Sequence, residues 1–265
     1  CPFRCSYCSI GTLVWRVREL DEVIGEIDLL SSLGIKEIHF RDQTFGADKD
    51  RTVVIMDHLK RKRLTWSCFS RMDIVSDKLL AAMNDAGCHT VIFCIESGDH
   101  AFRQKHGKGI KDDMIIGTLR SCSALKINTV GTFIIGLPGE KEAEVLKTIE
   151  FARRLPLDYA SFNIAVPRLG SLLRSSQERA ANEESGTEIG YERDGLDFMP
   201  REEALRWARL ATRRFYVRPA YMINRLLKIT SLGVFINELK MGYNLIFGSY
   251  INKPKKRHAS GRESA

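Results

Sequence analysis

The 265-residue chain is 44% hydrophobic and 28% charged, which is ordinary for a globular enzyme and excludes collagen-like, mucin-like and wholly disordered proteins. It has no run of eighteen apolar residues, so we expect no membrane-spanning helix. The net charge of +8 is concentrated at one end, because residues 196–265 hold 14 of the 41 Lys and Arg but 5 of the 33 Asp and Glu. We interpret this basic end as a solvated surface, with contact to a membrane, a nucleic acid or an anionic substrate as the alternatives.

Helical and strand-like patterns alternate along residues 19–166. Strands are predicted at 36–41, 65–71, 89–96, 128–136 and 159–166, and helices at 19–33, 48–63, 76–86, 111–126 and 140–155. Such alternation is typical of parallel strands with helices outside them. The first helix has no strand before it. We therefore predict an α/β fold, a partial (βα)6 TIM-like barrel whose first strand lies upstream of Cys1.

The composition changes after this repeating part. Residues 168–195 are rich in Gly, Ser and charged side chains and are predicted to form a flexible linker or loop. Residues 196–250 contain two or three helical patterns, and residues 251–265 form a basic tail that we expect to be disordered. The predicted organisation is thus a core over 1–167 followed by a C-terminal helical extension.

The seven cysteines are an odd number in a long chain, which does not fit the disulfide framework of a small secreted protein. We therefore expect a reducing, cytoplasmic location. Cys68, Cys88, Cys94 and Cys122 are dispersed through predicted strands and helices, where free cysteine usually acts as a small buried hydrophobe.

The other three cysteines lie in one loop with the spacing C-x3-C-x2-C, at Cys1, Cys5 and Cys8. Three thiolates this close can bind one soft metal centre or an iron–sulfur cluster. Structural zinc normally has four protein ligands, and no fourth Cys or His follows at short spacing. On a four-iron cluster, three protein ligands leave one iron open to the amino and carboxylate groups of a small molecule.

The loop and several later motifs resemble the radical S-adenosylmethionine (radical SAM) superfamily, and within it the subgroup that usually carries an N-terminal cobalamin-binding domain. The similarity extends over nearly the whole chain. The motifs that carry it are CPFRCSYCSIG, EIHFRDQTF, TWSCFSRMD, AGCHTVIFCIESG, GTFIIGLPGE and RRFYVRP.

The resemblance implies that Cys1, Cys5 and Cys8 hold a [4Fe–4S] cluster with SAM on its open iron. One electron from the cluster would cleave SAM reductively and start radical chemistry on a substrate. The subgroup suggests a methyltransferase or cyclase that uses cobalamin. No D-x-H-x-x-G motif occurs here, so cobalamin would be bound only through an N-terminal domain outside this sequence.

The resemblance also assigns residues near the first strands to SAM. Tyr7 would place its ring against the cluster or the adenine, with simple packing as the alternative. Asp42 would contact the methionine part of SAM, with a surface turn as the alternative. Arg71 would pair with the SAM carboxylate, and an ordinary ion pair with Asp73 is its alternative.

Later strand ends supply the remaining predicted contacts. Glu96 and Ser97 follow an apolar strand abruptly, and the carboxylate would accept hydrogen bonds from the ribose hydroxyls. Gly136 would let the backbone approach the nucleoside, or it is simply part of a strand-to-helix turn. Val166 would offer an apolar or backbone contact to adenine.

Alternative functions stay open on the sequence alone. They are a radical SAM reaction without cobalamin, such as methylthiolation of RNA, a non-catalytic iron–sulfur protein, and an inactive truncated fragment. The expected partners are a small-molecule or lipid-like substrate and an electron donor such as flavodoxin or ferredoxin. No clear nucleic-acid signal is present, and the basic C-terminal region could contact a membrane surface.

Overall fold

The structure, a computed structural model, describes residues 1–168, 170–174, 198–227, 236 and 240. Five strands of this part form one sheet in which every pair is parallel and neighbours in sequence are neighbours in space. The predicted α/β fold with a parallel sheet is confirmed. The strands are β1 (Glu37–Phe40), β2 (Thr65–Ser70), β3 (Cys88–Glu96), β4 (Asn128–Ile135) and β5 (Tyr159–Ile164).

Helices connect the strands and continue after the last one. The described helices are α1 (Leu20–Ser32), α2 (Lys49–Lys62), α3 (Asp77–Asp85), α4 (His100–Lys105), α5 (Asp112–Ala124), α6 (Glu142–Arg154), α7 (Arg201–Tyr216) and α8 (Pro219–Leu227). No helix in the described part of the chain is long and apolar enough to cross a membrane.

Helix α4 was not predicted from the sequence. Its six residues are too few to show a helical period, and it begins at a side-chain cap in which Asp99 accepts a hydrogen bond from the Phe102 backbone N–H. The residues that follow α4 contact the cysteine loop, so this helix, which the sequence did not predict, helps to position the site.

The two faces of β3 differ in burial. Val91, Phe93 and Ile95 are at most 1% exposed, whereas Ile92 and Cys94 on the opposite face are half-buried. No residue of β3 is exposed, but the face that carries Val91 and Phe93 is the more completely buried of the two. Helices cover one face, and the other face lines the inner side of the half-barrel.

An irregularity ends β3. Cys94 pairs with Thr132 and Glu96 with Phe133, so β3 contains one extra residue at this point. Glu96 has a φ of 75°, which is rare for a residue other than glycine. The distortion changes the direction in which the last side chain of the strand projects.

The described chain separates into two compact units, residues 1–211 and 212–265. The first unit extends beyond the predicted core, because Ala204, Ala208 and Ala211 of α7 pack in one cluster with apolar residues of β4 and α6. The predicted domain boundaries stay predictions. Most of the predicted linker and the whole of the predicted tail lie outside the described residues.

Candidate active site

The cysteine loop, residues 1–11, lies across the C-terminal edge of the sheet. The Cys1 Sγ atom is 3.2 Å from the Thr44 hydroxyl, which follows β1. The Arg71 Nη1 group, directly after β2, donates to the Cys5 Sγ atom at 3.5 Å. The loop therefore contacts the ends of successive strands, the edge at which parallel α/β proteins place their chemistry.

Backbone contacts fix the path of this loop. The Cys8 N–H donates to the Cys5 carbonyl at 3.1 Å, and the Gly11 N–H donates to the Cys8 carbonyl at 3.2 Å. A Cβ atom on Gly11 would lie 3.0 Å from the Cys5 oxygen, so a larger residue would push the loop open. The residues after α4 hold the other side, because the Ser6 N–H donates to the His106 carbonyl at 3.2 Å.

The three loop cysteines have free thiols. In the described part of the chain, no three His, Cys, Asp or Glu side chains are grouped around a point where one metal ion could bind. A four-iron cluster binds each thiolate at a different iron, so its three protein ligands need not meet at one point. The Arg71 guanidinium, which donates to the Cys5 Sγ atom, would also place a positive charge beside an anionic cluster. The residues present therefore fit the cluster.

Arg71 is already occupied by local partners. Its Nε and Nη2 groups donate to both Asp73 carboxylate oxygens, at 2.9 and 2.6 Å, and its guanidinium carbon lies 3.7 Å from the centre of the Phe3 ring. The ion pair with Asp73, the alternative considered for Arg71, is present. Arg71 thus links the cysteine loop to the end of β2, and its assignment to the SAM carboxylate stays a prediction.

A buried ion pair that the sequence did not indicate lies at the end of β3. The Lys108 ammonium is 3.0 Å from Glu96 Oε1, and the two residues are 3% and 6% exposed. Burial alone would lower the pKa of Lys108, but the negative charges of Glu96 and neighbouring cysteines raise it overall, so the group stays charged. A lysine in a Gly-rich turn usually indicates a solvated surface, which is why sequence reasoning missed it.

Tyr7 completes this group. Its hydroxyl donates to the same Glu96 oxygen at 3.0 Å. Burial, followed by the nearby Glu96 charge, raises the pKa of Tyr7 far above its usual value, so the phenol keeps its proton and acts as a donor. The predicted contact of the Tyr7 ring with a cofactor stays a prediction, whereas the Tyr7 hydroxyl is hydrogen-bonded to Glu96.

The turn after Glu96 is held against α6. The Ser97 hydroxyl is 3.1 Å from the Thr148 hydroxyl and accepts from the Asp99 N–H at 3.1 Å. A Cβ atom on Gly98 would lie 2.6 Å from the Thr148 Cα atom, so only glycine fits this close approach. Ser97 therefore supports the unusual backbone of Glu96, and direct contact of Ser97 with a ribose stays a prediction.

The remaining predicted residues are Asp42, Gly136 and Val166, which follow the ends of β1, β4 and β5. Gly136 has a φ of 89° and its N–H donates to Glu140, and the Ala165 N–H beside Val166 donates to the Ile135 carbonyl at 2.8 Å. Asp42 is exposed after β1 and lines a cavity of about 530 Å³ that also reaches Cys1. Their contacts to SAM stay predictions.

Residues 1–152 match the model of the Radical SAM superfamily. The chain belongs to this superfamily. Members of it are enzymes that use a [4Fe–4S] cluster and SAM, and the free thiols at the strand ends agree with that cofactor set.

Individual relatives resemble this radical SAM chain over part of their length. An uncharacterised methyltransferase of Pyrococcus horikoshii is 38% identical over 65% of the chain and 39% of that protein. The cytidylyl-2-hydroxyethylphosphonate methyltransferase of Streptomyces wedmorensis is 28% identical over 65% of the chain and 35% of that protein. The chain thus spans well under half the length of these relatives.

A solved structure shares the fold of this radical SAM chain. The radical SAM methyltransferase TsrM of Kitasatospora setae, with cobalamin and a [4Fe–4S] cluster bound, has a TM-score of 0.62 and 18% identity. The match covers 83% of this chain and 51% of that one.

Proposed function

We propose that this chain is the catalytic part of a cobalamin-dependent radical SAM methyltransferase, which cleaves SAM reductively and passes a methyl group to a small-molecule substrate. The observation that carries the proposal is the meeting, at one edge of the sheet, of the three-thiol loop and the buried Lys108–Glu96 pair. The names of the relatives support methyl transfer and the use of cobalamin.

When bound, the cluster supplies the electron for reductive cleavage of SAM. Cys1, Cys5 and Cys8 would hold the cluster, and Arg71 would hold the Cys5 side chain in place through its hydrogen bond to the sulfur. Lys108 is a buried cation with one carboxylate partner among the described residues, so it can bind the SAM carboxylate while Glu96 turns to the ribose hydroxyls. Tyr7 would keep its hydrogen bond to Glu96 while Lys108 binds SAM.

Replacing a predicted cluster ligand tests the proposal directly. After anaerobic reconstitution, the native chain should bind about four irons and form 5′-deoxyadenosine from SAM and a strong reductant. Cys5→Ala should bind little iron and lower 5′-deoxyadenosine formation by about a hundredfold or more. Cys94→Ala is the matched control, because its thiol lies on β3 outside the loop and should leave the iron content unchanged.

Two results would contradict the proposal. A well-loaded native chain that forms no 5′-deoxyadenosine would indicate an electron carrier or an inactive fragment. Equal iron binding by the Cys5→Ala and native chains would show that this loop does not hold the cluster.

A further inference from the structure

Three chain segments beside the cysteine loop carry only positive charges, whereas the strand ends on its other side also contribute Asp42, Asp73 and Glu96. Residues 1–18, 100–111 and 165–174 contain nine Lys and Arg and no Asp or Glu, although the whole chain has 33 acidic residues. These segments are neighbours in space: the Leu173 N–H donates to the Ser6 carbonyl at 3.0 Å, and Gly107 approaches the Arg4 backbone so closely that a Cβ atom would lie 3.0 Å from its oxygen.

Some of these charges are exposed at the rim of the loop. We define the cationic rim as Arg4, Lys105 and Arg168, one residue from each segment, all exposed. Apolar side chains are exposed just beyond the loop, with Val14 at 84% and Trp15 at 42%. Exposed cations beside exposed apolar groups are typical of a surface that binds a partner transiently.

The position of the rim indicates what kind of partner it binds. Reductive cleavage of SAM, on which this inference rests, needs one electron from outside the protein. A donor protein must dock close to the cluster ligands, and redox encounters use small interfaces that are steered by complementary charge. The inner side of the loop is already occupied by the strand ends, whereas the rim faces solvent.

We propose that the cationic rim is the docking surface for an acidic one-electron carrier protein. In the transfer the carrier is oxidised by one electron and the cluster is reduced by one electron, and no bond forms or breaks. RNA phosphates would also match the charge, but binding of single-stranded nucleic acid usually needs several stacking aromatics. Trp15 is the one exposed aromatic among the described residues of these segments.

The test is the anaerobic rate at which reduced flavodoxin bleaches the oxidised cluster in the reconstituted chain, measured without SAM. The double variant Lys105→Glu/Arg168→Glu should slow this reaction by about tenfold or more at low ionic strength and make its rate nearly independent of salt. Reduction by dithionite, a small anion that needs no docking surface, should change by less than about twofold.

The matched control is Lys36→Glu/Arg154→Glu, which makes the same charge change at exposed positions before β1 and at the end of α6, on the opposite edge of the sheet. At the same ionic strength, this pair should leave the flavodoxin rate within about twofold of native. Equal slowing in both double variants would mean that only net charge matters and would overturn the docking surface.

Other outcomes are equally decisive. An unchanged flavodoxin rate in the rim variant overturns the proposal, and so does a loss of RNA binding with normal reduction, which would assign the rim to nucleic acid. Because the readout is cluster reduction, a chain that is reduced normally but does not cleave SAM would contradict the proposed function and leave the docking surface standing.

Discussion

Two buried cations lie five residues apart on opposite sides of the turn that follows α4. The Arg103 side chain donates to the Ser97 carbonyl, twice to the Ile110 carbonyl, and to Asp112. The Lys108 ammonium has Glu96 as its single hydrogen-bond partner among the described residues. Both residues are at most 3% exposed, so burial alone does not distinguish them.

The difference lies in how completely each cation is satisfied. Arg103 uses its planar group to join the end of β3 to the chain before α5, as expected of a structural residue. Lys108 has three donor hydrogens in a place where water is scarce, and a buried donor without a partner is costly. Lys108 therefore retains donor capacity for an anionic ligand beside its bond to Glu96.

The largest expected effect is on stability and comes from Arg103. Arg103→Leu would leave two backbone carbonyls and Asp112 without their donor, so we expect the free energy of unfolding to fall by about 3–5 kcal/mol, measured by urea denaturation. Arg120→Leu, at an exposed position of α5, is the control and should change it by less than about 0.5 kcal/mol. If Arg103→Leu unfolds at the same urea concentration as the native chain, Arg103 is not the structural residue that the comparison requires.

Lys108 should show the opposite pattern. Lys108→Met should raise the dissociation constant of SAM on the reconstituted chain by at least about tenfold, because it removes the buried cation. It should also destabilise the fold, since Glu96 loses its partner. In the double variant Glu96→Gln/Lys108→Met, stability should recover while SAM binding stays weak. Recovery of both would show that the pair is only structural.

Glu140 extends the comparison to a buried acid. Its Oε1 atom has no partner among the described residues, and burial raises its pKa to about 7. Between pH 4.5 and 7 the unfolded chain releases this proton more readily than the folded one, so stability is lost as the pH rises through that range. Glutamine does not titrate, so the stability of Glu140→Gln relative to the native chain should rise by about 1–3 kcal/mol from pH 5 to pH 8, measured by urea denaturation of both chains. If the difference in free energy of unfolding between the two chains is the same at every pH from 5 to 8, the pKa of Glu140 is not raised.

The smallest effect is expected at Tyr7. Tyr7→Phe keeps the ring but removes the donor to Glu96, which should cost about 1 kcal/mol of stability in thermal or urea unfolding. SAM affinity should weaken only a few-fold, measured by equilibrium binding. A loss as large as that of Lys108→Met would mean that Tyr7, and not Lys108, is the main polar contact.

The sequence predicts the strands and long helices well because their signals are local. Gly34 and Gly87 end helical patterns and both have positive φ, so the boundaries around them were accurate to a residue or two. The cysteine loop was recognisable because its chemistry is contained in eight consecutive residues. These features need no knowledge of what lies nearby in space.

The features that were missed depend on distant contacts. The role of Ser97 is set by Thr148, about fifty residues away, and that of Lys108 by the bulge that turns Glu96 toward it. The unequal burial of the two faces of β3 could not be predicted either, because a nearly continuous apolar strand does not indicate which face is covered more completely.

The anchors of the cysteine loop have a consequence for biosynthesis. Its partners Thr44, Arg71, Glu96 and His106 lie 43, 66, 89 and 100 residues further along the chain. The cysteines leave the ribosome before all four of these partners, and the pocket that orders them forms only after about a hundred further residues have been translated and the sheet has assembled. Iron delivered before that stage would meet an unstructured peptide, so cluster insertion should follow folding of the half-barrel.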